Sequence, residues 1–244
     1  MKHLIAALFL LTAACQPYTQ TSSGMDYISR VTPAGKMSID PEIARVANVE
    51  PNLRFPAKFG VARIVNGRLT TPPASEAAQL ADFAERNQRY GQFVPVSPLI
   101  AAMVTEPVTD RYNQPHDVLK SIRLAAARQH IDHVLIYEIG ASSAYASNVL
   151  ALADITIIGG AFLPTRSHKA MGMGQVLLVD VRNGYTYGTA QTAVDLSKLS
   201  ATWGARNQTT KLRERAASEV FEKLLPEVDE MLSDLAVKLS KAGS

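Results

Sequence analysis

The sequence predicts an α+β (mixed α/β) domain: helices packed on a mixed sheet, with a C-terminal antiparallel meander and a long C-terminal helix. Three observations predict it. Residues 117–130 place apolar side chains at helical spacing and run directly into the near-continuous apolar stretch 133–139, a helix followed by a strand buried on both faces. Residues 174–182 and 185–194 read as two strands joined by Asn183-Gly184, a strong hairpin signal. Over about 207–241 apolar residues recur every three and four positions, the stripe of a helix lying on a core.

Taken in order, Phe59 to Val65 (FGVARIV) is a short apolar run closed by Asn66-Gly67 and reads as a strand. Pro72-Pro73 breaks the chain. Ser75 to Tyr90 then reads as a helix, with Ser75 as a candidate cap and Gly91 as its end. Phe93 to Leu99 (FVPVSPL) is extended, and its two prolines suggest a sheet edge. In the helix 117–130, Val118, Leu119, Ile122, Ala125 and Ala126 form one stripe. His133 to Ile139 follows as a buried strand. Asp154 to Leu163, Gly174 to Arg182 and Tyr185 to Val194 read as three further strands.

A two-residue turn at Asn183-Gly184 would need positive φ at both residues. It would set Arg182 opposite Tyr185 and Asp180 opposite Tyr187. The opposite face would then pair Leu177, Val179 and Val181 with Ala190, Gly188 and Thr186, large against small, which suits a helix lying across it. The last segment supplies that helix through Phe221, Leu224, Leu225, Val228, Met231, Leu232, Leu235 and Leu239. Pro226 inside it should kink or divide it.

The composition narrows the function. The chain has 244 residues, of which 47% are apolar, enough for a sizeable core. A net charge of +3 with scattered basic residues argues against nucleic acid. The single cysteine, Cys15, excludes an internal disulfide and a thiolate metal site in the folded part.

That cysteine follows a three-part leader: basic Met1-Lys2-His3, the apolar run Leu4 to Leu11, and the small residues Thr12-Ala13-Ala14. The run is too short to span a bilayer, which takes about 20 residues. Leu11-Thr12-Ala13-Ala14-Cys15 resembles the lipobox of bacterial lipoproteins, with Thr12 where that family usually has leucine. The resemblance implies cleavage before Cys15, diacylglycerol on its thiol and acylation of the new amino terminus. Gln16, in place of the aspartate that retains such proteins at the inner membrane, implies the outer membrane. The expected organisation is a signal peptide over 1–14, a lipidated tether over 15–50 rich in Ser, Thr, Pro and Gly, and one periplasmic α/β domain over 51–244. Element order, the Asp180-x-x-Asn183-Gly184 hairpin and the lipobox together resemble three envelope domains. These are the periplasmic domain of the curli-secretion lipoprotein, the lipoprotein activator of penicillin-binding proteins, and the N-terminal part of the Tol-system propeller protein.

Candidate sites are few. His130-Ile131-Asp132-His133 has a spacing seen in metal sites, with Asp132 or Glu138 as possible further ligands, but the helix should end near His130 and a strand begin near His133. No Gly-x-Ser-x-Gly elbow is present, and Ser142-Ser143 and Ser167-His168 show no patterned acid partner. Gly159-Gly160 lies in a strand pattern, and Gly172-Met173-Gly174 lacks the lysine of a phosphate loop. The basic loop 164–173, with Arg166, His168 and Lys169, and the hairpin face of Arg182, Tyr185 and Tyr187 are the candidate partner surfaces, the latter if it is left uncovered. Trp203, just before the last helix, would plug the domain edge or anchor an interface. No cofactor is expected.

Three readings follow. The first is a lipid-anchored accessory protein of the envelope that binds an envelope protein and carries out no catalysis. The second is an oligomeric secretion component like the curli pore, with residues 141–173 as a membrane hairpin. The third is a metal-dependent enzyme using His130 and His133.

Overall fold

The computed structural model describes residues 16–32, 39–104, 115–142, 171–195 and 207–242. In chain order these form β1 (Tyr18–Thr19), α1 (Gly24–Val31), α2 (Pro41–Ala47), β2 (Ala57–Val65), β3 (Arg68–Thr70), α3 (Ala74–Arg86) and β4 (Gly91–Pro95). They continue with α4 (Pro98–Val104), α5 (Pro115–Arg128), β5 (His133–Ser142), β6 (Met171–Asp180), β7 (Thr186–Asp195) and α6 (Asn207–Ala242). The strands make one mixed sheet in the order β1-β7-β6-β5-β2-β3, with β4 also on β2. The β2–β5 and β2–β4 pairs are parallel and the others antiparallel.

Side-chain alternation explains the layers. On β2 and β5, Phe59, Val61, Leu135 and Tyr137 point to one face and pack with Phe83 of α3 and with Phe221, Leu224 and Leu232 of α6. Ala62, Ile64, Val134 and Ile136 point to the other and pack with Ile122, Ala125 and Ala126 of α5. The helix stripe at 118–126 and the strand at 133–139 therefore stand as expected. Helix α6 is a single element of 36 residues. Pro226 does not divide it, because the apolar stripe on both sides of the proline is held by one sheet face.

Helix α6 approaches the sheet closely where β6 has no side chains. A Cβ on Gly172 or Gly174 would stand 2.5 or 2.6 Å from a Val220 methyl. Gly172-Met173-Gly174 thus lies in a strand, where its glycines admit a helix.

The two Asn-Gly dipeptides differ. Asn66 and Gly67 both have positive φ, 49° and 71°, and make the tight turn between β2 and β3, with Val65 paired to Arg68. At the second, only Gly184 does, at 79°. The expected two-residue turn is replaced by a four-residue loop in which the Asp180 N–H donates to the Tyr185 carbonyl and the Gly184 N–H to the Asp180 carbonyl. The Asp180 carboxylate causes this by accepting from the Arg182 and Asn183 N–H groups at 2.7 and 3.3 Å. Arg182 therefore does not oppose Tyr185, nor Asp180 Tyr187.

The ladder also slips. Leu178 pairs with Gly188 but Val179 with Thr186, so Tyr187 is the extra residue of a bulge. The helix-facing residues of β6 and β7 are consequently Val176, Leu178 and Ala190, while Val179 and Val181 join the α5 side. This corrects the expected face of Leu177, Val179 and Val181.

The segment read as a tether is described in two parts. Residues 16–32 and 39–50 lie on the domain. Strand β1 pairs with β7 through Tyr18–Thr189 and Thr19–Gly188. The polar residues that read as linker are helix caps: Ser23 accepts from the Asp26 N–H, and Asp40 from the Glu42 N–H ahead of Pro41. Ser75 is not the cap of α3; that place is held by Pro73, with no side-chain hydrogen bond. Helix α4 was not anticipated; it starts at Pro98, with Ser97 Oγ accepting from the Ile100 N–H. The Phe93–Leu99 edge strand is confined to β4, which pairs only with β2. The expected strand at 154–163 lies outside the described residues.

Candidate functional site

The sheet face under α6 and α3 carries polar clusters at two places, with an apolar cavity lying toward the second. Position along β5 sets both, because His133, Leu135 and Tyr137 share that face.

At the lower end, His133 Nδ1 stands 3.6 Å from Asp180 Oδ2, with side-chain exposures of 2% and 0%. The imidazole is flanked by the Phe59 ring and meets the Tyr187 ring edge-on, with centroids 5.3 Å apart. Burial holds the His133 pKa below its ordinary 6.5, against the opposing pull of Asp180. Asp180 also faces Arg182 Nη2 at 3.4 Å. With the Asn52 amide turned oxygen-first, it accepts from both terminal nitrogens of Arg182 at 2.7 and 2.8 Å. The Tyr187 hydroxyl accepts from the Asn52 N–H at 2.6 Å, and burial pushes its pKa up to about 12. At 3.6 Å the two are in contact without a hydrogen bond, and His133 Nδ1 is buried with no hydrogen-bond partner among the described residues.

Farther along, Arg63 and Glu76 form a two-pronged ion pair at 2.8 and 3.2 Å, and the Tyr137 hydroxyl donates to Glu76 Oε2 at 2.8 Å. Burial, then the Glu76 charge, raises the Tyr137 pKa. Beside this cluster lies a cavity of ≈ 330 Å³ between α3, the sheet and α6. Its walls include Val61, Leu80, Phe83, Phe93, Leu135 and Phe221, with Tyr137 as a wall residue bearing a polar group. Among the described residues, this space suits an apolar group and offers no charged contact. The sequence carried one signal of it, Arg63 inside an apolar strand; nothing in the sequence named Glu76 as its partner.

The candidate residues fall out as follows. His130 is exposed just past α5, with φ 54°, while His133 is buried on β5, so the structure does not bring the two together. Among the described residues no three His, Cys, Asp or Glu side chains group as a metal site. Glu138 is buried at 1% exposure on the α5 side of β5. On the hairpin, Arg182 is exposed, but Tyr185 and Tyr187 are buried at 6% and 0%. They are covered by the chain's own N-terminal segment. Tyr185 donates to the Ser22 carbonyl at 2.7 Å, and Asn183 Nδ2 donates to the Glu50 carbonyl at 2.8 Å. The condition attached to that surface, an open face, is not met at the two tyrosines. Cys15, Arg166, His168, Lys169 and Trp203 lie outside the described residues.

Apolar side chains stand exposed elsewhere. They include Met25 on α1, Ile43 and Val46 on α2, and Leu99 and Met103 on α4, the last two at 73% and 76%. Tyr18 on β1 is 59% exposed. No described helix is long and apolar enough to cross a membrane.

No family model and no curated protein matches the chain. Among solved structures, it is similar to the PelC dodecamer from Paraburkholderia phytofirmans, at 15% identity over 72% of this chain and 91% of that one, with a TM-score of 0.31. It is similar to lipoprotein GNA1162 from Neisseria meningitidis, at 13% identity over 64% and 92%, with a TM-score of 0.31. It is also similar to the LpoB C-terminal domain from Salmonella enterica, at 17% identity over 70% and 95%, with a TM-score of 0.28. These likenesses are slight and assign no activity or partner to the present chain.

Proposed function

We propose that this chain is a lipid-anchored accessory protein on the periplasmic face of the outer membrane, which binds an envelope protein and carries out no catalysis of its own. The observation that carries the reading is the leader, an apolar run and small residues ending at the chain's single cysteine. Acyl chains on Cys15 would hold it firmly, at about 0.8 kcal/mol per buried methylene. The partner reading draws support from the exposed apolar pair Leu99 and Met103, which lie one turn apart on α4.

The test is direct. Mass analysis of the N-terminal peptide of the full chain should find Cys15 acylated. Cys15→Ser should move the protein from the membrane to the soluble periplasmic fraction. A photoreactive residue at Ala102, exposed between the two on α4, should crosslink one envelope protein in intact cells, and Leu99→Glu with Met103→Glu in the same chain should abolish the adduct while leaving the chain membrane-bound. An unmodified, freely titratable thiol on Cys15 overturns the anchor. Loss of no adduct in the double variant overturns the α4 surface.

A further inference from the structure

The distance from the anchor to the fold is short, and this has a geometric consequence. Only Gln16 and Pro17 separate Cys15 from Tyr18, the first residue of β1. Three residue steps span at most about 10 Å of chain. Strand β1 is not free to drift from the domain: Tyr18 and Thr19 pair with Thr189 and Gly188, and the Gln20 N–H donates to the Tyr187 carbonyl at 2.7 Å. Thr19 also donates from Oγ1 to Asp234 Oδ2 and accepts from Lys238 Nζ, which joins the strand to α6. The domain is therefore bound rigidly at a point within about 10 Å of Cys15, little more than the depth of one headgroup layer.

We propose that the β1 edge, with Tyr18 as its interfacial side chain, is seated on the phospholipid bilayer that holds the anchor; this rests on the lipid-anchor reading above. Among the described residues strand β1 is the last strand of the sheet and pairs with β7 alone. Tyr18, 59% exposed, is a side chain of the kind that favours the headgroup level, with an apolar ring and a polar tip. The sheet order gives the domain a definite attitude. Four inter-strand steps, about 19 Å, separate β1 from β2. Helix α4, which packs against β3 at the far edge, is held away from the lipid and turned toward the periplasm.

The experiment uses the full-length acylated chain with Trp203→Phe, reconstituted into phosphatidylethanolamine–phosphatidylglycerol vesicles containing a phospholipid brominated near the headgroup. In that background Tyr18→Trp should lose about twofold or more of its emission to the bromines, as an interfacial indole does. Leu99→Trp in the same vesicles should keep its emission. Equal emission loss at the two positions on an acylated chain overturns the seating and leaves the anchor standing. An N-terminal peptide without acyl chains overturns both.

Discussion

The Tyr185 hydroxyl donates to the Ser22 carbonyl over 2.7 Å, joining the hairpin that ends β6 to the N-terminal segment between β1 and α1. With the Asn183–Glu50 hydrogen bond and the pairing of β1 with β7, it holds residues 16–32 and 39–50 against the domain.

Tyr185→Phe should cost about 1 kcal/mol, the usual net contribution of such a bond, and lower Tm by roughly 2–4 °C. Because the loss falls on the N-terminal segment, limited proteolysis between residues 20 and 50 should quicken more than cleavage elsewhere. Unchanged cleavage there would mean that the segment is held by other contacts.

Glu76 sits between Arg63 and Tyr137, with side-chain exposures of 16% for Arg63 and 5% for Glu76. Glu76→Ala leaves a largely buried guanidinium unpaired and should cost about 3–5 kcal/mol in urea unfolding. Replacing both, Arg63→Met with Glu76→Leu, should restore most of that, since the pair's own net contribution is small after desolvation. A double variant as unstable as the single would show that the charges stabilise the fold outright.

Stability should fall in mild acid through His133. Its folded pKa lies below 6.5 because burial disfavours the cation, so the unfolded chain takes up the proton first. Stability is then full above about 6.5, declines as pH drops below that value, and levels off beneath the folded pKa. His133→Phe, placed among Phe59 and Tyr187, should flatten the slope of the urea midpoint between about pH 7.5 and 5.5. An unaltered slope would assign the acid sensitivity to another group.

Gly174→Ala should drive a methyl into Val220 and destabilise by about 1–3 kcal/mol. Val220→Ala in the same chain should relieve part of that strain. The signature is non-additivity in a double-mutant cycle, measured by thermal unfolding.

His130, exposed with φ 54°, occupies the position after a helix that glycine favours. His130→Gly should leave stability unchanged or raise it by up to about 1 kcal/mol. A marked loss would point to a role for the imidazole beyond the helix end.

Much of the fold was legible because its signals are local. The stripe Val118–Ala126, the strand from His133 and the last helix each declare themselves within a few turns or residues, and each stands where its period placed it. The candidate sites were less legible. The Asn183-Gly184 signal was correct for a turn but silent about the Asp180 carboxylate, which drew two backbone N–H groups and changed the loop. The bulge at Tyr187 then shifted which side chains face the helix, an effect of one residue that no period reveals. The caps at Ser23 and Asp40 read as linker because serine, aspartate and proline serve turns, tethers and helix starts alike.

The sequence by itself determined the mixed α+β class and the amphipathic faces of the helices, since these depend on the kind and spacing of neighbouring residues. Only the tertiary structure decided that Arg63 pairs with Glu76, that His133 is sealed against Asp180, and that β1 closes the sheet three residues after Cys15. Those contacts join positions far apart in the chain, and the burial that surrounds them exists only once the layers have packed.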